Sequence, residues 1–217
     1  MADWVLAAER AYVAAAVGPA TAASTATAEP GEAAPRVLMR SDWLSDLAAP
    51  DRRAHALAAA GAVASRYLAV GTPRSFGLVI DDAAEVDAAA LSLAAHRTWF
   101  APRDIRCAAV TTGAAELAAA TSGHVVSLDE ALACDIVNVY TARIHITPMQ
   151  LRRGTHVNAI AVSAFDPELL ALATVVPEAG LPALAAGLVD GRQLDELTVF
   201  TISDSPSLAK IDRGQVP

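Results

Sequence analysis

The chain has 217 residues, 54% of them hydrophobic and 18% charged, which is enough to bury a large core and excludes a disordered or collagen-like chain. About a quarter of it is alanine and only 5% is aromatic, which favours helix and argues against an all-β sandwich. A formal net charge of −8 excludes a general nucleic-acid or anionic-membrane surface, because phosphate binding needs clustered positive charge.

Trp4, Ala7, Ala8, Ala11 and Ala15 fall on one stripe opposite Glu9 and Arg10, so residues 3–17 read as an amphipathic helix capped by Asp3. Residues 18–36, with three prolines and no periodicity, read as a linker or loop. A short strand is expected at 37–39, and Asp51 is expected to cap an alanine-rich helix that runs to Ala69 and is ended by Gly71-Thr72-Pro73. From there apolar runs and helical stretches alternate. Strands are expected at 76–80, 105–110, 124–127, 135–140, 156–162, 174–176 and 197–201, with helices at 83–96, 114–121, 128–133, 167–173 and 181–188. Strands separated by helices imply right-handed crossovers and a parallel sheet covered on both faces. The fold class is α/β, a Rossmann-like doubly wound parallel sheet over 71–202, preceded by a reduced N-terminal segment (1–70) and followed by a tail (203–217).

The only lysine is Lys210, and no G-x-x-x-x-G-K-S/T occurs, so Walker-type nucleotide binding is excluded and Schiff-base chemistry has one candidate. Cys107 and Cys134 sit in apolar runs and read as buried, reduced thiols. His55, His96, His124, His145 and His156 form no metal-ligand spacing with one another or with the cysteines, so no metal is expected. Asp3 stands where a signal peptide carries basic residues, and no apolar run reaches the ~20 residues of a membrane span. A soluble, cytoplasmic protein with no membrane partner is the expectation.

Four stretches resemble the ornithine cyclodeaminase/μ-crystallin family, which includes certain alanine dehydrogenases and imine reductases. They are "AVASRYLA" (62–69) with "PRSFGLVI" (73–80), "SLDEALACDIVNVYTA" (127–142), "LRRGTHVNAIAVSA" (151–164, similar to K-P-G-x-H-V/I-N-A-V-G-A-D) and "GRQLDELTVF" (191–200). The resemblance covers about residues 52–202. It implies a first strand running into a G-x-G-x-x-A/G turn for a nicotinamide dinucleotide, but here the glycine positions fall on Ile80 and Asp82. Asp81, Asp82 and Glu85 would repel a pyrophosphate, or Asp81 and Asp82 simply cap the next helix. Both readings leave no dinucleotide bound in the usual way, and Val110-Thr111-Thr112-Gly113 offers no acid to a ribose. Ser163 stands where the resemblance implies the catalytic aspartate and Ala56 where it implies a carboxylate-binding arginine. The N-terminal sheet that normally builds the substrate roof and the dimer interface is largely missing.

In an open parallel sheet, ligands bind beyond the carboxyl ends of the strands. Those ends supply Asp81, Asp82, Thr111, Thr112, Tyr140, Thr141, Arg143, Ser163 and Phe165. Arg143 and His145 lie in the loop TARIHITP, where the resemblance implies a nicotinamide-facing segment. They are the first choice for gripping a carboxylate, with Tyr140 as the third catalytic candidate and Asp82, Thr111, Thr112 and Ser163 as ligand contacts. The bland reading of Arg143 and His145 is a solvated loop, and that of His156 a hydrogen-bonded structural imidazole. Asp166-Pro167 reads as a helix start. The resulting expectation is a divergent family member that binds or transforms a small amino acid or cyclic imine without a cofactor, by cyclase- or lyase-type chemistry. The alternative is a catalytically inactive binding or accessory subunit. The face left by the missing sheet suggests a homodimer or hetero-partner, with Trp4, Trp43 and Trp99 as contacts or as core.

Overall fold

The computed structural model describes residues 3–17, 37–38, 42–44, 47–160, 162–189 and 196–202. The linker, the tail with Lys210, and the side chain of Trp43 lie outside the described residues. Seven strands, β1 (Ser75–Ile80), β2 (Asp104–Ala109), β3 (His124–Val125), β4 (Ile136–Val139), β5 (His156–Ala159), β6 (Thr174–Pro177) and β7 (Thr198–Thr201), form one sheet in the order β3-β2-β1-β4-β5-β7-β6. Every neighbouring pair is parallel. The order reverses at β1, so the β1/β4 junction is the switch point where an open sheet offers its crevice.

The helices are α1 (Asp3–Val17), α2 (Ala49–Leu68), α3 (Val86–His96), α4 (Ala114–Thr121), α5 (Leu128–Leu132), α6 (Pro167–Leu172) and α7 (Leu181–Ala185). On one face, Phe76, Leu78, Ile105, Cys107 and Ile136 pack with Leu93 of α3 and Leu117 of α4, while α1, α2 and α7 share a cluster with Phe200. On the other, Val79, Val137, Val157 and Val199 pack with Ala131 and Leu132 of α5 and Leu169 of α6. All six residues of β1 are buried, as a central parallel strand covered on both faces requires. Gly77 lets α5 approach, since a Cβ there would stand 2.1 Å from the Ala131 carbonyl oxygen. Ser127 and Glu130 close a capping box at the start of α5.

The structure corrects three local expectations. Val37 and Leu38 are in turn and 3-10 conformation rather than a strand. Helix α2 begins at Ala49 with Ala48 at its N-cap and Pro50 in its first turn, so Asp51 lies inside the helix and is not its cap. Proline's fixed φ and missing N–H suit that first turn. The fully buried stripe of α1 is Val5, Ala8 and Tyr12, with Ala15 exposed. Helix α1 lies against α2 and α7, and Trp4 and Trp99 are half-buried against the chain's own clusters. Cys107 and Cys134 are buried and unpaired. No helix among the described residues is long and apolar enough to cross a membrane.

Candidate functional site

β1 and β2 end level, Ile80 opposite Ala109. The chain leaves β1 through Asp81 and Asp82 into a 3-10 turn, Ala83–Glu85, that runs directly into α3. Asp82 is the N-cap of that turn, its Oδ1 accepting the Ala84 amide at 2.8 Å. Glu85 Oε2 reaches back and accepts the Asp81 amide at 2.5 Å. Two amides of the kind that face an anion at a helix start are therefore taken by the chain's own carboxylates. Part-burial pushes the Glu85 carboxyl up, with the Asp81 and Asp82 carboxylates adding to it, against the amide bonds that pull it down. The turn after β2 packs onto this one. The Thr111 amide and hydroxyl donate to the Asp81 carbonyl at 2.9 and 2.7 Å. Gly113, at φ 99°, lies so close that a Cβ would come within 2.8 Å of the Ala83 backbone. Thr112 is exposed beside it.

Arg143 Nε lies 3.0 Å from Asp81 Oδ2, so the two charges offset each other, and its amide donates to Thr141 Oγ1 at 3.0 Å. The Arg143 side chain remains 67% exposed. His145 Nε2 is 2.9 Å from Asp166 Oδ2. The other oxygen of Asp166 caps α6 through the Glu168 amide at 2.7 Å, so Asp166-Pro167 starts a helix as expected. The Glu168 amide, and then His145, hold the Asp166 carboxyl below its usual range. The loops after β4 and β5 run side by side through an Ile146–Phe165 bridge, and Ser163 is exposed on the 3-10 turn Val162–Ala164. Arg143 and His145 are thus each engaged by a different acid. Among the described residues no group of three or more His, Cys, Asp or Glu is placed to hold a metal.

Tyr140 turns into the layer under α3, where its hydroxyl donates to the Ala88 carbonyl at a long 3.4 Å. It marks one end of a buried polar ladder that sequence reasoning did not assemble. Thr198 Oγ1 is 2.8 Å from His156 Nδ1, and His156 Nε2 is 3.0 Å from Asn158 Oδ1. The Asn158 amide donates to Ser65 Oγ at 2.9 Å and Asn138 Oδ1 at 2.7 Å, and Asn138 donates to Ser92 Oγ at 2.5 Å. Ser65 meets His96 Nε2 at 2.9 Å, and His96 Nδ1 lies 2.7 Å from the Ser92 carbonyl. That carbonyl can only accept, so Nδ1 of His96 carries the proton and Nε2 accepts from Ser65. Asn158 Oδ1 likewise places a proton on His156 Nε2. Burial lowers His96 to about 4. The visible signal was asparagine, a residue depleted in strands, at register-paired positions 138 and 158 of two buried strands. Between α2 and the ends of β4 and β5 the ladder borders a small recess lined by Gly61, Ser92, Asn138, Tyr140 and Asn158, with Leu57, Ile160 and Ile202.

No protein-family model matches the chain, and no curated protein does. Solved structures match in fold. An archaeal alanine dehydrogenase dimer with bound NAD is 23% identical with a TM-score of 0.60, over 68% of this chain and 57% of that one. The Δ1-pyrroline-2-carboxylate reductase of Thermococcus litoralis, in complex with NADH and L-proline, is 18% identical with a TM-score of 0.57, over 67% and 57%. The iminosuccinate reductase of Paracoccus denitrificans, in complex with NAD+, is 21% identical with a TM-score of 0.57, over 68% and 57%. The match spans little more than half the length of these proteins. The likeness establishes the Rossmann-like fold, and the neighbours are of the kind the sequence resembles.

Proposed function

We propose that this protein carries the fold of these nicotinamide-dependent enzymes but works without their dinucleotide, as a binding or accessory subunit rather than a dehydrogenase. The turn between β1 and α3 carries that reading. A pyrophosphate seated there would have to displace Asp82 and Glu85 from the amides of Ala84 and Asp81 and then sit beside both carboxylates. Gly113 packed on Ala83 closes the space from the β2 side. The residues at the end of β2, 110–113, include no acid for a ribose hydroxyl. The residues present do not fit the dinucleotide.

A second reading keeps a ligand at the strand ends. The exposed guanidinium of Arg143, steadied by Asp81 and Thr141, could take the carboxylate of a small amino acid or cyclic imine, with His145 alongside and Thr111, Thr112 and Ser163 on the rim. Calorimetric titration of the whole chain with NADH, NADPH, ornithine, proline and a cyclic imine separates these readings. We expect no heat from either dinucleotide, and micromolar binding of one would end the main proposal. Binding of an amino acid or imine that Arg143→Ala abolishes would favour the second reading. The Asp82→Ala, Glu85→Ala double variant, with its turn amides freed, should bind inorganic phosphate more tightly than the parent.

A further inference from the structure

We propose that the amino ends of the strands, at the end of the sheet opposite Arg143, form a docking surface for an acidic stretch of another protein. The proposal names the partner chemistry of the binding or accessory subunit argued above, and rests on that reading. Four arginines carry it. Arg103 and Arg74 stand side by side before β2 and β1, the Arg103 amide donating to the Arg74 carbonyl at 2.8 Å. The Arg74 amide in turn donates to Asp135, before β4, at 2.8 Å. Arg152 and Arg153 belong to the turn before β5, which is closed by the Thr155 amide on the Arg152 carbonyl at 3.1 Å and bent at Gly154, whose φ is 81°. The His156 amide donates to the Asp135 carbonyl at 3.0 Å, so this turn lies beside the same acid. The row follows β2-β1-β4-β5, three strand spacings or about 14 Å.

These charges are unmatched. All four side chains are exposed, and none makes an ion pair among the described residues. The acids that share the strand starts are engaged locally: Asp104 by Arg106 at 2.8 Å and His124 at 3.5 Å, Asp135 by the Arg74 and Ser75 amides at 2.8 and 2.9 Å, and Glu196 by the Thr174 hydroxyl. Arg152 feels the Asp135 charge without pairing with it. At the carboxyl ends, by contrast, Arg143 is matched by Asp81 and His145 by Asp166. Four unmatched guanidiniums in one row repel one another, and carboxylates laid along them relieve that repulsion. Their planar forks suit carboxylates. About five residues of extended chain, at roughly 3.3 Å each, span the row with alternate side chains facing it. A nucleic acid longer than the row would run onto the rest of a chain whose net charge is −8 even with these arginines counted, and be repelled.

The test is fluorescence anisotropy of the full chain with a short fluorescein-labelled peptide that alternates glutamate and serine. Its glutamine counterpart and a labelled oligothymidine are the controls. Saturable binding of the acidic peptide is expected, weakened about tenfold or more as salt rises from about 20 to about 200 mM, with no binding of the glutamine peptide. Arg74→Gln combined with Arg103→Gln should weaken the acidic peptide about tenfold, and adding Arg152→Gln and Arg153→Gln should abolish its binding. Arg10→Gln, which removes an exposed charge from α1, should change the affinity less than about twofold. The substituted side chains are exposed, so the variants should keep the parent's thermal midpoint. If the fourfold variant does not fold, Arg103→Gln alone decides, with a loss of roughly threefold expected. Absence of saturable binding at low salt overturns the proposal. So does an equal response to the glutamine peptide, oligothymidine binding as tight as the acidic peptide, or undiminished binding in the arginine variants. The dinucleotide titration reads the opposite end of the strands, so the accessory reading and this one fail separately.

Discussion

At Gly77 a single hydrogen separates β1 from the backbone of α5, and a methyl there would stand 2.1 Å from the Ala131 carbonyl oxygen. The obstacle is main chain, which cannot rotate away, so α5 or β1 would have to shift. Gly77→Ala should therefore lower stability by roughly 3 kcal/mol or more. Gly61→Ala, in a helix interior where the added Cβ makes an ordinary 3.5 Å contact, should be neutral or stabilising by up to about 1 kcal/mol. Thermal midpoints of the two variants check the pair. Neither glycine's role was legible in the sequence, where one sits in an apolar run and the other in an alanine-rich helix. The acids after β1 were legible as acids in a glycine's place. That Glu85 reaches back to the Asp81 amide was not, because it depends on a 3-10 turn that periodicity does not reveal.

Helix α1 shows how far pattern reading goes at the level of an element. Its limits were legible, but its buried stripe was not, because alanines lie on every side and only Tyr12 and Val5 distinguish one face in the structure. The helix is held by more than its apolar contacts. Glu9 accepts from Arg66 and from the Tyr67 hydroxyl, and Arg66 lies over the Trp99 ring at 5.0 Å. Tyr12 is fully buried beside Glu178, and burial, with that carboxylate second, raises its phenol well above 10. Tyr12→Ala should cost roughly 3 kcal/mol, whereas Glu9→Gln, touching a part-exposed ion pair, should cost less than about 1 kcal/mol. Urea midpoints would rank them, and the reverse order would show that α1 is held chiefly by charge. The capping box at Ser127 and the Asp166-Pro167 start were readable because their residues are local. The Asp166–His145 contact, spanning twenty-one positions, was not.

Across the whole molecule, the polar ladder ties α2 and α3 to β4, β5 and β7, and its buried His96 shapes how the protein meets acid. His96 titrates near 6.5 when unfolded and near 4 when folded. The folded state therefore resists the proton, and the stability this residue confers above pH 6.5 is lost as the pH falls from about 6.5 to 4. The loss should reach roughly 3 kcal/mol. Denaturation midpoints measured across that window should fall in the parent and fall less in His96→Leu, and parallel curves would refute the assignment. The alternation of helices and strands made a parallel sheet legible, because crossovers need a helix between parallel neighbours. Strand order was not legible, since nothing in residues 174–177 or 198–201 says which lies at the edge.

That order has a consequence in time. β7 is the last strand of the sheet in the chain, yet it lies between β5 and β6. During synthesis β6 emerges with no strand to join, and β5 carries an open edge until residues 198–201 have left the ribosome. Helix α6 and the turn at 178–180 must wait with them. β7 fills the gap between β5 and β6 last, so from the emergence of β6 until residues 198–201 follow it the growing chain holds two unsatisfied parallel edges, the kind of surface a chaperone protects.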